Sequence, residues 1–200
     1  YLDGGVGADY IDGGSGDDVL FANSGIGDVL LGGDGNDRIH GSDDGDEDND
    51  FTDAIRHGDF IDGGDGDDVI YGLGGADEIL GGAGNDLIDG GGNADLIRGG
   101  SGRDEIYAGS GNGNLLFGAG DDRIYGSQYG ADQIHGGDGD DEIHGQAGDD
   151  TIYGDSGDDT LDGGPGSNAI YGGDGDDVLE GSDDAADLLE GGAGRDRIYG

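Results

Sequence analysis

The chain has 200 residues, of which 54 are glycine and 49 are aspartate or glutamate, against seven arginines and no lysine, and its formal net charge is −42. Leucine, isoleucine, valine and phenylalanine together number 39, and so low an apolar content with so large a charge argues against a conventional globular core. The negative charge argues against nucleic-acid binding. The absence of cysteine excludes disulfides and zinc–thiolate sites. No apolar run approaches the roughly 20 residues that a membrane span needs.

The dominant feature of the sequence is a nine-residue unit, Gly-Gly-x-Gly-x-Asp-x-(Ile/Leu)-x, whose positions we number 1 to 9. The aliphatic residue at position 8 recurs 20 times, and of the 19 intervals between copies 13 are nine residues, four are ten, one is eight and one is 22. Such a period is typical of architectures that stack one unit on the next. The position-8 residues are Ile11, Leu20, Leu30, Ile39, Ile61, Ile70, Ile79, Ile88, Ile97, Ile106, Leu116, Ile124, Ile134, Ile143, Ile152, Leu161, Ile170, Leu179, Leu189 and Ile198.

Each unit is predicted to contain a turn followed by a short strand. Glycine at positions 1, 2 and 4 permits positive φ angles and close approach of the backbone, so the first six residues are expected to turn. Positions 7 to 9 are expected to form a three-residue strand, in which the side chain at position 8 points to one face and its two neighbours point to the other. Because position 8 is always Ile or Leu, we assign it to the interior and assign positions 7 and 9 to solvent.

One such unit cannot bury its own apolar side chain, so we expect two units per coil to face each other across a thin core. Stacked coils then give an all-β fold, a flattened parallel β-solenoid with about ten coils and a length of roughly 45–50 Å. We expect a single domain over residues 1–200. Its one large irregularity is the 22-residue interval, in which residues 41–57 are predicted to form an acidic loop that leaves the rod.

Position 6 is Asp in every unit except two, which have Asn114 and Asn168. Stacking places these residues above one another along two edges, where carboxylates a few ångströms apart repel each other. A divalent cation between successive turns would remove this repulsion. Ca²⁺ suits such a site because it accepts six to eight oxygen ligands in flexible geometry, including the carbonyls of glycine turns, whereas Mg²⁺ demands a tighter octahedron.

The unit resembles the RTX, or haemolysin-type, calcium-binding nonapeptide repeat, and the resemblance covers the whole chain except about 41–57. It implies a right-handed parallel β-roll with about two nonapeptides per coil, in which each Ca²⁺ lies between turns of one edge and is bound by position-6 Asp and turn carbonyls. About nine gaps on each edge leave room for up to about 18 ions. The implied metal ligands are Asp9, Asp18, Asp28, Asp37, Asp59, Asp68, Asp77, Asp86, Asp95, Asp104, Asp122, Asp132, Asp141, Asp150, Asp159, Asp177, Asp187 and Asp196. Ions beside Asn114 and Asn168 are expected to be weak or missing.

No catalytic constellation is recognisable, and we expect no enzymatic activity in this segment. The motifs G-x-S-x-G and H-E-x-x-H are absent, and a phosphate-binding P-loop requires a lysine that the chain lacks. The acidic loop superficially resembles an EF-hand, but with Asp44 as its first residue the sixth is Asn49 and the twelfth is Ile55, which do not fit. An ordinary solvated loop is favoured there over an extra cation site.

The outward-facing positions support further hypotheses. Position 5 is often Asp but is Arg in two units, so we expect it to contribute solvated charge rather than a ligand. Position 9 carries many aromatic residues and three histidines, which we expect to be exposed and unpaired. If units alternate between two faces, the aromatic residues of one face form a stripe. The preference of aromatic residues for strands could explain the stripe, or it could be a docking surface for a glycan, a neighbouring domain or another rod. Its members are Phe21, His40, Tyr71, Tyr107, Tyr125, His144 and Tyr199.

These inferences favour a calcium-binding structural segment of a secreted or cell-surface protein, such as a surface-layer, adhesin, matrix or filament element, that folds on binding extracellular Ca²⁺. The resemblance implies type I secretion. The start YLDGG lacks the features of a signal peptide, and the repeats reach both ends of the sequence, so we expect a piece of a longer protein or a processed form. The alternatives are the non-catalytic repeat module of a secreted protease, lipase or polysaccharide epimerase, and a calcium-dependent glycan-binding module. Besides Ca²⁺, the partners considered are a glycan or cell-surface polysaccharide and other copies of the rod, joined end to end or through the aromatic stripe. No nucleic acid and no transmembrane segment are expected.

Overall fold

The computed structural model describes residues 1–25, 27–42, 58–182 and 186–200. These residues form 21 strands and contain no helix, and the strands belong to two parallel sheets of eleven and ten members. Strands alternate between the sheets along the chain, so each strand pairs with the strands two places before and after it. The expected parallel β-solenoid is therefore confirmed, with two units in each of about ten coils.

The odd-numbered strands form the eleven-stranded sheet. They are β1 (Leu2–Val6), β3 (Val19–Ser24), β5 (Arg38–Ser42), β7 (Val69–Tyr71), β9 (Leu87–Asp89), β11 (Glu105–Tyr107), β13 (Arg123–Tyr125), β15 (Glu142–His144), β17 (Thr160–Asp162), β19 (Val178–Glu180) and β21 (Arg197–Tyr199). The even-numbered strands form the ten-stranded sheet. They are β2 (Tyr10–Ser15), β4 (Val29–Asp34), β6 (Phe60–Asp65), β8 (Glu78–Ala83), β10 (Leu96–Ser101), β12 (Leu115–Phe117), β14 (Gln133–Asp138), β16 (Thr151–Ser156), β18 (Ala169–Asp174) and β20 (Leu188–Ala193).

The strand register places equivalent positions of the repeat beside one another, as in the pairing of Ile97 with Ile79. All position-8 residues from Leu20 to Leu179 are completely buried, so two facing columns of aliphatic side chains form the core. The prediction that position 8 faces the interior is confirmed along this length. It fails at Ile198, which is 49% exposed because it lies in β21, a strand that pairs on one side only.

The two sheets differ in strand length, which the repeat does not predict. The expected three-residue strands are found mainly in the eleven-stranded sheet, whereas most strands of the ten-stranded sheet have six residues. In β6 the additional residues are the glycines and Asp65 of the following turn, and Gly64 pairs with Gly82 of β8. The glycine pair continues the strand here because, without Cβ atoms, the backbones of successive coils stay close enough to pair.

Two further parts of the sequence differ from the simple repeat. Strand β1 precedes the twenty predicted units, and its Leu2 pairs in register with Leu20. Of the predicted acidic loop at 41–57, Gly41 and Ser42 belong to β5, and residues 43–57 lie outside the described residues.

The recurrent glycines have two different structural roles. In the unit that starts at Gly81, Gly82 and Gly84 have φ angles of +116° and +140°, which residues with a side chain rarely adopt. Gly81 has no such angle, but a Cβ atom there would overlap the carbonyl oxygen of Gly99 and lie 2.5 Å from Oδ2 of Asp86. Position 1 is therefore glycine because the next coil and the position-6 carboxylate leave no room for a side chain.

Candidate metal sites along the two edges

The aspartates that the resemblance implies as ligands lie where the chain passes from one sheet to the other. At edge 1 the chain passes from the eleven-stranded to the ten-stranded sheet, and at edge 2 it passes back. The position-6 residues of edge 1 are Asp9, Asp28, Asp59, Asp77, Asp95, Asn114, Asp132, Asp150, Asn168 and Asp187. Those of edge 2 are Asp18, Asp37, Asp68, Asp86, Asp104, Asp122, Asp141, Asp159, Asp177 and Asp196. The structure thus brings every predicted residue next to its counterparts in the neighbouring coils.

From Asp28 onwards, one side-chain oxygen of each position-6 residue joins successive coils. Oδ1 accepts a hydrogen bond from the main-chain N–H of the position-6 residue one coil earlier, at 2.7–3.2 Å. At Asp86, for example, Oδ1 accepts from the N–H of Asp68, while the N–H of Asp86 donates to Oδ1 of Asp104, both at 2.9 Å. These bonds fix each carboxylate between two turns.

The other carboxylate oxygen has no donor in most turns. Among the described residues, Oδ2 is buried without a hydrogen-bond partner in Asp9, Asp28, Asp37, Asp68, Asp86, Asp95, Asp104, Asp122, Asp141, Asp150, Asp159 and Asp177. An unsatisfied buried polar group costs about 1–3 kcal/mol, and a charged one costs more. Both edges therefore contain rows of buried acceptors whose charge lacks a positive partner in the polypeptide.

Burial also raises the pKa of several of these carboxyl groups. Desolvation is the largest cause, and nearby carboxylates raise the pKa further, while the main-chain hydrogen bond to Oδ1 opposes both effects. The pKa rises to about 6 at Asp68, to about 7 at Asp86 and Asp95, and to about 8 at Asp141. The charged form of these carboxyl groups is therefore costly inside the turns.

This arrangement fits a hard divalent cation. Most turns offer a buried carboxylate oxygen, and their glycines offer main-chain carbonyls, which together make the all-oxygen donor set that Ca²⁺ prefers. Within the described ranges, no three Asp, Glu, His or Cys side chains converge on one point. A cation at the edges would therefore need main-chain carbonyl oxygens in addition to carboxylates.

Five turns of edge 1 depart from this pattern through an amide or a serine. Asn114 and Asn168 carry an amide in place of the carboxylate. At Asp59, Asp132 and Asp187, Oδ2 accepts hydrogen bonds from a serine of the same turn. These serines were not singled out in the sequence, although each occupies position 2 of an elongated unit, where the other units mostly have glycine.

The outer side of edge 2 carries a second hydrogen-bond ladder, which the sequence analysis did not identify. Oδ1 of Asp121 accepts from the N–H of Asp140, and Oδ1 of Asp140 accepts from the N–H of Asp158, at 3.1 and 2.8 Å. Arg103 takes part by donating its main-chain N–H to Asn85 and its guanidinium to Asp121. Position 5 is therefore exposed but ordered. The available signal was that Asp, Asn or Arg fills position 5 in alternate units, whereas the remaining units mostly have Ala or Gly.

The predicted aromatic stripe lies on the outer face of the eleven-stranded sheet, but it is divided. One stack contains Phe21, His40 and Tyr71, and the other contains Tyr107, Tyr125 and His144. Asp89 of β9 separates them, since it pairs with Tyr71 on one side and Tyr107 on the other.

The ten-stranded sheet carries a longer stack that the sequence analysis missed. Rings at position 9 of β12 to β18 stack with centroids 4.5–5.2 Å apart, and the guanidinium of Arg98 lies 5.5 Å from the first ring centre. In order along the rod, the stack comprises Arg98, Phe117, His135, Tyr153 and Tyr171. We call this row the aromatic ladder.

The expectation that the position-9 histidines are exposed and unpaired is wrong, because neighbouring rings partly cover them. Nδ1 of His135 lies 3.0 Å from Oδ2 of Asp155, and Nε2 of His144 lies 3.2 Å from Oε1 of Glu142. Burial, together with the nearby Arg38, lowers the pKa of His40. The fourth histidine, at position 57, lies outside the described residues.

Comparison with known proteins agrees with the geometry. A family model described as the RTX calcium-binding nonapeptide repeat matches residues 1–27, 26–51, 56–88, 80–115, 118–128, 127–161, 153–185 and 182–200. A search of curated proteins gives no significant match. In the described part of the chain, no helix is long and apolar enough to cross a membrane. Because the family model covers nearly the whole sequence, the chain belongs to the family of RTX calcium-binding nonapeptide repeats.

Proposed function

We propose that the chain is a structural segment of a secreted or cell-surface protein, and that it folds into its rod on binding Ca²⁺ through the edge aspartates. The observation that carries this proposal is the row of buried Oδ2 atoms without donors, which continues through eight successive coils of edge 2 from Asp37 to Asp177. A chain gains nothing by burying such oxygens unless a cation compensates them. The segment itself is proposed to have no catalytic role.

The proposed ligands are the position-6 aspartates of both edges whose Oδ2 is not bonded to a serine, together with the carbonyl oxygens of the adjacent glycine turns. When bound, Ca²⁺ supplies the positive charge that neutralises carboxylates of successive turns. The protein contributes the arrangement of the donors. The N–H bonded to Oδ1 orients each carboxylate, and the absence of a Cβ atom at position 1 lets Oδ2 approach the main chain.

The amount of calcium in the surroundings decides how much stability these sites provide. A site with a dissociation constant near 10⁻⁴ M adds about 1.4 kcal/mol when Ca²⁺ is near 10⁻³ M, and almost nothing at cytosolic concentrations. Many such sites together favour the rod outside the cell and the unfolded chain inside it. This difference supports an extracellular location, export in an unfolded form, and a role as a spacer in a surface layer, an adhesin or a matrix.

A calcium titration followed by far-ultraviolet circular dichroism tests the proposal. In excess EGTA we expect the spectrum of an unfolded chain, and in millimolar Ca²⁺ we expect a cooperative change to a sheet spectrum. Mg²⁺ at the same concentration should have little effect, because its octahedral demand fits a carbonyl-lined turn poorly. The same sheet content in EGTA and in Ca²⁺, at low salt, would falsify the proposal.

A matched pair of substitutions in one turn tests whether position 6 supplies the ligands. Asp68 is buried with a donor-free Oδ2, whereas Asp65 of the same turn is exposed. Both substitutions to Asn remove one negative charge, so Asp65→Asn controls for charge alone. We expect Asp68→Asn to raise the calcium concentration at the folding midpoint several-fold and Asp65→Asn to leave it nearly unchanged. Equal effects of the two would assign the calcium response to overall charge.

Contact with a glycan or a neighbouring rod is a second candidate function, favoured by the charge pattern of the ten-stranded sheet. On the strands that carry the aromatic ladder, positions 7 and 9 contain no carboxylate, although the chain has 49 acidic residues. The ten side chains are Leu96, Arg98, Leu115, Phe117, Gln133, His135, Thr151, Tyr153, Ala169 and Tyr171. Although Asp155 of β16 lies 3.0 Å from His135, another surface meets no carboxylate at these ten positions, so the repulsion exerted by so acidic a molecule is reduced there.

A further inference from the structure

The two edges of the rod are built differently. Edge 2 has Asp at position 6 in all ten units, with no serine at position 2 of any of them. Edge 1 departs from this pattern in five of its ten units, either through Asn at position 6 or through Ser at position 2. In most of the unaltered turns, Oδ2 of the position-6 aspartate is buried without a donor.

In three of these turns a serine satisfies the carboxylate. Oδ2 of Asp132 accepts from the main-chain N–H of Ser127 at 2.6 Å, and the Ser127 hydroxyl lies 2.8 Å from the same oxygen. Ser182 and Asp187 repeat this geometry at 2.7 and 3.3 Å. Ser42 and Asp59 repeat it at 2.7 and 3.0 Å. The extra residue between Ser127 and Asp132, compared with a nine-residue unit, lets the N–H at position 2 turn towards the carboxylate.

In the other two turns an amide replaces the carboxylate. Nδ2 of Asn168 donates to the carbonyl oxygen of Gly164 in its own turn, at 2.9 Å. Nδ2 of Asn114 donates to Oδ1 of Asp132 in the next coil, also at 2.9 Å. An amide nitrogen carries hydrogens and cannot ligate a cation, and at Asn168 it occupies a turn carbonyl that a cation would otherwise use.

These contacts change the free energy that binding of a cation could release. In a plain turn, Ca²⁺ would relieve an unpaired buried charge, whereas in the five altered turns hydrogen bonds already relieve it or the charge is absent. A cation there would have to displace N–H or O–H donors whose positive ends point into its place. Buried carboxylates satisfied by donors therefore compete poorly with unsatisfied ones for the same ion.

We infer that calcium loads the rod unequally, filling edge 2 continuously, while the position-6 residues Asp59, Asn114, Asp132, Asn168 and Asp187 of edge 1 use Ser or Asn hydrogen bonds in place of an ion. This inference rests on the proposed function, because it concerns the distribution of the ions that the function requires. It assigns to the serines at position 2 and the asparagines at position 6 the role of replacing a metal ion with a hydrogen bond.

The number of calcium ions bound per chain, measured by equilibrium dialysis at saturating Ca²⁺, tests the asparagine turns. We expect Asn168→Asp to bind about one more ion than the parent chain, since it places a carboxylate oxygen against the carbonyl of Gly164. Asn85→Asp is the matched control, because it adds the same charge at an exposed position 5 of edge 2. The inference is wrong if Asn168→Asp leaves the count unchanged or if Asn85→Asp raises it equally.

Two neighbouring aspartates of edge 1 test the serine turns in the same assay. Asp150 has a donor-free Oδ2, whereas Oδ2 of Asp132 in the adjacent coil is bonded to Ser127. We expect Asp150→Asn to lower the number of bound ions and Asp132→Asn to leave it unchanged, with circular dichroism in Ca²⁺ confirming that each variant folds. Equal losses from the two variants would contradict the role given to the serine.

Crystals of the unaltered chain grown in Ca²⁺ provide a readout that does not depend on any variant folding. Anomalous difference peaks should form an unbroken row along edge 2 and should be missing beside Asp132 and Asp187. Equally complete rows on both edges would overturn the inference and leave the proposed function standing. A chain that binds no calcium at all would instead overturn the proposed function.

Discussion

A position-6 aspartate such as Asp86 uses its two oxygens for different purposes. Its Oδ1 accepts a main-chain N–H and so helps to hold one coil above the next, while its Oδ2 is buried in the turn without a hydrogen-bond donor. This division explains why Asn can replace Asp at 114 and 168 without breaking the stack, because its amide oxygen still accepts the N–H of the preceding coil. What is lost with the carboxylate is the charge.

The glycine at position 1 provides a prediction at the same scale. In Gly81→Ala the new Cβ would overlap the carbonyl of Gly99 and crowd Oδ2 of Asp86, so we expect the free energy of unfolding in Ca²⁺ to fall by about 1–3 kcal/mol. Gly92→Ala is the control, since the nearest atom to its Cβ would be 3.6 Å away. Neither glycine has a positive φ, so the comparison isolates steric overlap. Chemical denaturation of both variants measures it, and a similar loss in both would argue against the close approach at Gly81.

At the scale of an edge, stacking converts ordinary aspartates into a row with raised pKa values. The pKa of Asp141 is raised to about 8, mainly by desolvation and in part by the charges of Asp159 and Asp122, which stand in the same row. Protons and cations therefore compete for the carboxylates of a whole row.

This competition predicts an unusual pH dependence for the calcium-free chain. The folded pKa values of about 6 to 8 lie above the ordinary 3.8, so between these values the folded state binds more protons than the unfolded state. In EGTA the free energy of unfolding should therefore increase as the pH falls from 8 towards 4, and this stability should be lost as the pH rises through the folded pKa values. In saturating Ca²⁺ the trend should reverse, because protons then displace ligands from the ion.

The amount of sheet signal in circular dichroism across this pH range, in EGTA and in Ca²⁺, measures both trends. About 0.5 M NaCl should be present in each series, so that the general repulsion between surface charges is screened and the buried groups dominate. A calcium-free chain that is more ordered at pH 8 than at pH 5 under these conditions would contradict the raised pKa values.

The sequence was sufficient to predict the solenoid, the two units per coil and the inward-facing aliphatic columns, because these follow from a period that repeats with few exceptions. It also placed the position-6 aspartates on two edges. The bonds from Ser127 to Asp132 could not be predicted, since they depend on how one extra residue reorients a main-chain N–H. The longer strands of one sheet were missed for a similar reason, because whether a glycine pair turns or stays extended depends on the neighbouring coil.

For contacts between the whole molecule and other molecules, the distribution of charge over the surface is as important as the total charge. The outer side of edge 2 is lined with carboxylates such as Asp140 and Asp158, while the face that bears the aromatic ladder is neutral or basic at positions 7 and 9. The rod therefore has one face that repels other polyanions much less than the others do. If rods or glycans make contact with this molecule, they should do so on the ten-stranded sheet.

A pair of double substitutions tests this preference. We expect Phe117→Ser with Tyr153→Ser to weaken association of the chain in millimolar Ca²⁺ about tenfold or more, because the pair removes two rings from the neutral face. Tyr107→Ser with Tyr125→Ser removes two stacked rings from the opposite sheet and serves as the control. Sedimentation velocity measures self-association, and a glycan array in Ca²⁺ and in EGTA measures glycan binding. A larger effect of the control pair in both assays would place the contact on the other sheet.

The separation of 18 residues between hydrogen-bonded neighbours has a mechanical consequence. Each coil touches only the coils above and below it, so a force that pulls the two ends of the rod apart would peel coils away in sequence instead of breaking the whole molecule at once. Every peeled coil would release roughly 55–60 Å of slack, and its ions would leave with it. A tether built in this way would yield in small equal steps under load and would wind up again when the load is removed, provided that calcium is still present around it.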